Sequence, residues 1–269
     1  MSDSTFKLKV LGAGDWKTTR ERHPACFVLT VGTKNMLLDC GFGAMHQMAH
    51  YGISPLEIDE VWITHFHPDH MSDLIPFLVH RTLEAKDFDG TPNKLTLRGP
   101  SGLEQRIGTL FSVYCADAVR DPGMVVEEIQ DSMPFAISGC SANMRMIPVR
   151  HIPGHESVAY EVVLDGRSFL YAGDACAPLD GQPKLFQEAL DCNTILLSAG
   201  ATKTAGGHID FDTAISWIGV VGGVGVRRLI LNHVPEQCFE AAKDFARGAT
   251  TAGRLQVIIA RDGDAYQLT

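Results

Sequence analysis

The segment VWITHFHPDHMSDL, residues 61–74, places His65, His67, Asp69 and His70 within six positions, directly after an apolar run that reads as a β-strand. Histidines at i and i+2 leaving a strand can turn both imidazoles toward one point. Pro68 stops the strand from continuing and leaves Asp69 and His70 to face a neighbouring point. Two adjacent points lined by neutral imidazole and carboxylate suit a pair of metal ions. In a chain with 11 histidines among 269 residues, chance produces this H-x-H-x-D-H pattern roughly once in a thousand sequences, so accidental grouping explains it poorly. Six residues supply only part of two coordination shells. The fold must therefore bring further His and Asp side chains from distant positions to the same rim.

The C-terminal ends of strands in a sheet offer such a rim. β-like runs recur throughout, at TFKLKVLG, ACFVLTVG, NMLLDCG, EVWIT, KLTLRG, VAYEVVLDG, SFLYAGD, NTILLSAG, RRLILNH and LQVIIA. Helical spacing predicts helices over 43–51, 71–85, 101–114, 183–190, 211–220 and 236–247. This alternation predicts α/β layers. The Asp-Gly turn of VLDGRS and the short VGTKN connection predict antiparallel hairpins, so a sheet sandwich covered by helices fits better than a purely parallel sheet. No internal repeat or Pro- or Ser-rich linker divides the chain, and GVVGGVGV (219–226) reads as a helix end followed by a turn. Residues 1–269 are expected to form one domain.

Three positions end β-like runs with the right chemistry: His151 after MRMIPVR, Asp174 after SFLYAG, and His233 after RRLILN. Each alone could be an ordinary structural residue; together with the cluster they make a complete set, with His155 as the rival to His151. The formal net charge of −9 argues against a general affinity for polyanions, although a small anion at a local positive site stays compatible. Arg81, Lys86, Arg98, Arg120 and Arg150 are scattered and read as solvated surface, with approach to an anionic group as the alternative. Seven cysteines, without a CxxC, fit neither a disulfide framework nor a structural zinc knuckle. They are expected to be reduced thiols of a cytoplasmic protein, since the N-terminus lacks a signal-peptide core and no apolar run approaches a membrane span.

These residues resemble the metallo-β-lactamase superfamily of binuclear metallohydrolases, through VLGAGD, LLDCG, THFHPDH, the His151 segment, YAGD and LNHVP, over nearly the whole chain. The resemblance implies a four-layer αββα sandwich of two mixed β-sheets flanked by helices. It implies one metal held by His65, His67 and His151, a second by Asp69, His70 and His233, and Asp174 bridging the two. It further implies that Asp39 hydrogen-bonds a ligand and fixes its orientation. Zinc is the expected metal, with manganese or iron as alternatives. The chain is most similar to the ribonuclease Z-like branch, through DCGFGAMHQM, ISPLEIDEVWITHFHPDH and LRGPSGLEQRI. Two departures count against full ribonuclease Z activity. Only DGR lies where that branch inserts its basic tRNA-docking arm, and SAGAT (Ser198 to Thr202) stands where it carries a catalytic glutamate. tRNA is therefore not the expected substrate.

The resemblance implies a metal-activated water as nucleophile, with Asp69 orienting it or taking its proton. His208 matches the position of a later histidine of the branch that works in proton transfer; it donates a proton to the leaving group, hydrogen-bonds a phosphoryl oxygen, or merely caps a helix starting near Ile209. Cys176 is expected to be structural. The expected substrate is a phosphodiester or a similar small anionic ester. Lactone, sulfate-ester or thioester hydrolysis, ribonuclease Z-like cleavage, and iron-dependent oxidoreduction are rivals on the same fold. A non-catalytic protein is disfavoured by the intact ligand set. Relatives often form homodimers, and IPFLVH (75–80) is either an interface or ordinary core.

Overall fold

The computed structural model describes residues 4–87, 93–121, 123–128, 133–151, 153–176, 192–199, 208–211, 213–214, 225–251 and 255–269. The predicted helix over 183–190, most of those over 211–220 and 219–226, and the end of the SAGAT segment lie outside these residues.

Fourteen described strands form two mixed sheets of seven. In the first, β1 (Phe6–Gly12), β2 (Cys26–Val31) and β3 (Lys34–Leu38) pair antiparallel. β4 (Glu60–Trp62), β5 (Thr96–Gly99) and β6 (Val125–Glu128) then continue from β3 in parallel. The second sheet runs β7 (Phe135–Ala136), β8 (Asn143–Val149), β9 (Ser157–Leu164) and β10 (Arg167–Tyr171) antiparallel, then β11 (Thr194–Ser198), β12 (Arg228–Asn232) and β13 (Gln256–Ile259) parallel. The terminal β14 (Ala265–Gln267) returns to pair with β1. Both predicted hairpins form. Asp165 and Gly166 both take positive φ (50° and 76°) between β9 and β10, the geometry of a two-residue turn that Asp-Gly favours.

Period-2 alternation builds three cores. From β1 and β2, Phe6, Leu8, Val10, Phe27 and Leu29 point between the sheets, where they meet Tyr160, Phe169 and Tyr171 of the second sheet. Val28, Leu37 and Val61 face the other way, against α1 (Ala44–His50), α3 (Leu74–Asp87) and α4 (Leu103–Val113), which supply Met48, Leu74, Phe77, Ile107 and Phe111. On the outer face of the second sheet, Ile195, Leu197, Leu229 and Leu231 pack with Ala242 and Ala246 of α5 (Phe239–Thr251). The result is the expected αββα sandwich. Ile75, Phe77 and Leu78 of the IPFLVH segment belong to the core. No helix among the described residues is long and apolar enough to cross a membrane.

Two basic residues read from sequence as surface are buried instead. The Arg81 guanidinium donates to the carbonyls of Pro55 (2.6 Å), Ile58 (3.1 Å) and Asn93 (2.6 Å), tying three loop carbonyls to α3. Arg98 on β5 pairs with Glu60 of β4 (2.8 Å) and with Glu127 of β6, and Glu60 also accepts from Trp62 Nε1 (2.7 Å). Carbonyl dipoles around Arg81 and cross-strand carboxylates around Arg98 let each buried cation stay ionised, a pairing that single-residue polarity does not reveal. Lys86, Arg120 and Arg150 are exposed, as expected.

Candidate metal centre

The predicted residues converge on one rim of the sandwich. Asp39 follows β3, His65 and His67 follow β4, His151 follows β8, Asp174 follows β10, and His233 follows β12. β4 ends at Trp62, before the histidines, and Pro68 does more than stop it. It occupies the first turn of a one-turn helix, α2 (Pro68–Met71), whose N-cap is His67 and which carries Asp69 and His70 inward. The i, i+2 histidines thus leave a strand, while the Asp-His pair sits on a helical turn.

Two groups of ligand-type side chains result: His65, His67, His151 and Asp174, and Asp69, His70, Asp174 and His233, the atoms of each lying within 4.8 Å of one another. Asp174 is common to both. Its Oδ2 stands 3.8 Å from His65 Nε2, 3.8 Å from His151 Nε2, 3.2 Å from His70 Nε2 and 3.5 Å from His233 Nε2. His233 Nε2 also lies 3.0 Å from Asp69 Oδ2, and His67 Nδ1 3.2 Å from His151 Nε2. His155 is exposed and outside both groups, so the structure brings together His151 and leaves its rival in solvent.

Behind these atoms, a buried network sets the imidazole tautomers. Asp39 Oδ1 accepts from the Thr64 amide (2.8 Å). Its Oδ2 accepts from Thr64 Oγ1 (2.8 Å), Tyr171 OH (2.6 Å) and His70 Nδ1 (2.7 Å). Because Thr64 Oγ1 gives its proton to Asp39, its lone pairs are free to accept from His65 Nδ1 (3.0 Å). Both His65 and His70 therefore carry a proton on Nδ1 and turn Nε2 toward Asp174, and on the neutral His65 that nitrogen is bare. Asp39 and His233 take left-handed backbone (φ 55° and 58°), uncommon for residues with a side chain, and the His233 amide is held by the Ala13 carbonyl at 2.9 Å. Thr64 and Tyr171 are parts of the site that the sequence reading missed; each lies within three residues of a predicted site residue.

The donor set fits a divalent cation on one further observation. His65 Nε2, Asp69 Oδ1, His70 Nε2 and both oxygens of Asp174 are buried with no hydrogen-bond partner among the described residues. Unpaired buried polar atoms are costly, and four of these, on His65, His70 and Asp174, belong to the two ligand-type groups and call for a positive charge there. The electrostatics agree. Burial and the neighbouring His70 push His65 well below its ordinary pKa, and burial and His151 lower His67, so both imidazoles are held neutral, the form in which an imidazole binds a metal ion. Burial opposes protonation of His70 and His233, but the Asp174 carboxylate overcomes it, and both rise. Burial likewise opposes ionisation of Asp174, yet His233 and His70 hold it well below the usual carboxylate range. Protons on imidazoles stand where a cation would neutralise the same carboxylates.

His208 lies at the open side, its Nδ1 3.8 Å from Asp174 Oδ2 and its ring stacked on His233 at 4.6 Å. It does not cap the following helical turn. Asp210 does, accepting from the Thr213 amide (2.7 Å) and Thr213 Oγ1 (3.0 Å). Burial lowers the His208 pKa to about 4. Cys176 also lies near the rim; burial raises its thiol pKa despite the counteracting charge of Arg150, which makes it a poor nucleophile. All seven cysteines are free thiols.

A two-sheet αββα sandwich whose rim gathers His and Asp side chains that could hold metal ions is the metallo-β-lactamase fold. Ribonuclease Z of Exiguobacterium sp. is 37% identical over 100 residues, covering 37% of this chain and 32% of that protein; ribonuclease Z of Mycobacterium marinum is 26% identical over 187 residues, covering 65% and 66%. The chain thus spans between about a third and two thirds of the length of these curated relatives. Among solved structures, the metallo-β-lactamase fold protein YhfI from Bacillus subtilis superposes with a TM-score of 0.79 (17% identity, 98% of this chain and 100% of that one). Human tRNase Z, short form, superposes with 0.73 (18%, 98% and 99%), and a diphosphatase from the PhnP family with 0.72 (16%, 98% and 98%). The family described as anti-Pycsar protein Apyc1 matches residues 6–213, and this chain belongs to it.

Proposed function

We propose that this protein is a binuclear metallohydrolase, with zinc as the metal, that cleaves a phosphodiester or a similar small anionic ester. The observation that carries the reading is the sharing of Asp174 between two complete ligand groups, a feature with no structural purpose in a core of this size. His65, His67 and His151 would hold one ion, Asp69, His70 and His233 the other, with Asp174 between them. Bound divalent ions supply an acidified water and neutralise charge developing on the ester. Asp69 has one oxygen engaged by His233 and one, Oδ1, without a partner, so it is the group suited to take the proton of the attacking water. His208, held neutral by burial, is suited to hydrogen-bond an oxygen of the substrate through its N–H; an arriving anion would raise its proton affinity and let it protonate the leaving group.

A second reading, ribonuclease Z-like cleavage of RNA, is favoured by the names of the sequence relatives. Against it stand the two-residue β9–β10 turn in place of a docking arm and the net charge of −9, which disfavours polyanion binding. The test is hydrolysis of bis(4-nitrophenyl) phosphate by zinc- or manganese-loaded protein beside Asp174→Ala. Turnover is expected in the wild type and not in the variant; full activity in the variant would remove the bridging role. Salt-sensitive binding of precursor tRNA would favour the second reading.

A further inference from the structure

The loop between β1 and β2 presents a large aromatic surface that folding does not require. Its base is closed by a hydrogen bond from the Gly14 amide to the His23 carbonyl (2.7 Å) and another from the Thr19 amide to the Arg22 carbonyl (3.0 Å). At its tip, Asp15 Oδ1 accepts from the Lys17 amide (2.9 Å), a turn that fixes the residue between them. That residue is Trp16. Its side chain is left 46% exposed, where any polar residue would cost less, and its ring packs on His67 with centroids 5.3 Å apart and planes tilted by 58°. Among the described residues it is the one ring from outside the histidine cluster that packs on it. At 46% exposure, part of the indole stays open to another planar group.

We propose that Trp16 is a specificity-determining wall, stacking on a planar aromatic ring attached to the ester that the metal centre cleaves. His67 lies at the mouth, half-buried, so a group bonded to a phosphorus held at the centre passes the indole on its way out. Aromatic stacking tolerates any ring with a π-face, which makes Trp16 a selector of aryl over alkyl substituents and not of one ring over another. Substrates without a ring lose this contact but keep the metal contacts. The proposal rests on the phosphoester reading, and its test separates the two.

Binding of adenosine 5′-monophosphate and of ribose 5-phosphate to zinc-loaded protein is measured by calorimetry. The ligands share phosphate and sugar and differ by the ring. Wild type is expected to bind the nucleotide roughly 10-fold to 100-fold more tightly. Trp16→Ala should bring the two affinities together by weakening only the nucleotide, and Trp16→Phe should restore part of the difference. An unchanged affinity ratio in Trp16→Ala, or an equal loss for both ligands, would overturn the proposal; the second would show that Trp16 merely orients His67. Turnover of bis(4-nitrophenyl) phosphate is followed separately. Its absence in wild type alongside ring-dependent binding would sink the hydrolytic reading while leaving the stacking wall in place.

Discussion

Replacing Asp39 by Asn changes little volume, yet the geometry gives it a large effect. The carboxylate accepts four hydrogen bonds, one on Oδ1 from the Thr64 amide and three on Oδ2 from Thr64 Oγ1, Tyr171 OH and His70 Nδ1. An amide side chain offers one oxygen. When that oxygen turns toward the three donors, the side-chain nitrogen faces the buried Thr64 N–H, and that donor is orphaned at about 1–3 kcal/mol. The loss of charge weakens the others, since hydrogen bonds to charged groups contribute roughly 1.5–3 kcal/mol and neutral ones about 0.5–1.5. A total of about 3 kcal/mol should lower the melting temperature of the metal-free protein by about 6–12 °C. Because Asp39 sets the His70 tautomer, metal affinity should also fall roughly 10-fold to 100-fold. Tyr171→Phe is the control. It removes one donor and leaves Asp39 with three, so about 1 kcal/mol is expected, with metal affinity nearly kept. The assay pairs thermal melts of chelated protein with competition against a chromophoric zinc chelator. If Asp39→Asn melts and binds zinc like wild type, the network does not control the centre and the argument from tautomers fails.

Two other perturbations probe the same rim. A Cβ at Gly41 would lie 2.1 Å from the Asp69 carbonyl oxygen, a backbone atom that cannot step aside. Gly41→Ala should therefore displace α2 with Asp69 and His70, weakening zinc binding more than Asp39→Asn does; tight zinc binding in that variant would show that α2 can shift freely. The folded-state pKa of His208, about 4 against an ordinary 6.5, means that the unfolded chain binds more protons between these values. Its contribution to stability is complete above pH 6.5 and falls as pH drops toward 4. In chelated protein, the decrease in urea midpoint from about pH 7 to about pH 5 should be smaller for His208→Gln than for wild type, and equal decreases would place His208 in solvent.

Much of the centre could be read from sequence because its chemistry is local. THFHPDH carries four ligand-type side chains in one stretch, and a strand followed by a proline-led turn can place them without help from the rest of the chain. His151, Asp174 and His233 were found by a weaker rule, that strands of one sheet layer end at a common rim. That rule could rank His151 above His155 only by the apolar run before it. Burial separates them: a side chain 4% exposed against one in solvent. What pattern could not supply is pairing across strands. Arg98 reads as surface until Glu60, on the neighbouring β4, stands opposite it, and Tyr171 reads as core until its hydroxyl meets Asp39, 132 residues away. Strands β6, β7 and β14 are short, and none was read as a β-like run; they extend the edges of sheets whose centres were already plain.

The same non-local pairing ties the loop that carries Trp16 to the rim where the His and Asp side chains gather. Asp262, which follows β13, accepts from the Ala13 amide (2.9 Å) through Oδ1, and from the His23 amide and ring (both 2.8 Å) through Oδ2. The Ala13 carbonyl in turn accepts from the His233 amide and from Arg22 (2.7 Å). One carboxylate near the C-terminus therefore holds both ends of the loop that carries Trp16 and, through one residue, the left-handed backbone of His233. Rigid placement of a loop at both ends costs conformational entropy that a surface turn need not lose. It is justified where the loop must keep a fixed position relative to a ligand. With one anchor in common, the Trp16 ring and the His233 backbone keep a fixed spacing, so the proposed stacking wall and the proposed metal centre need not adjust to each other.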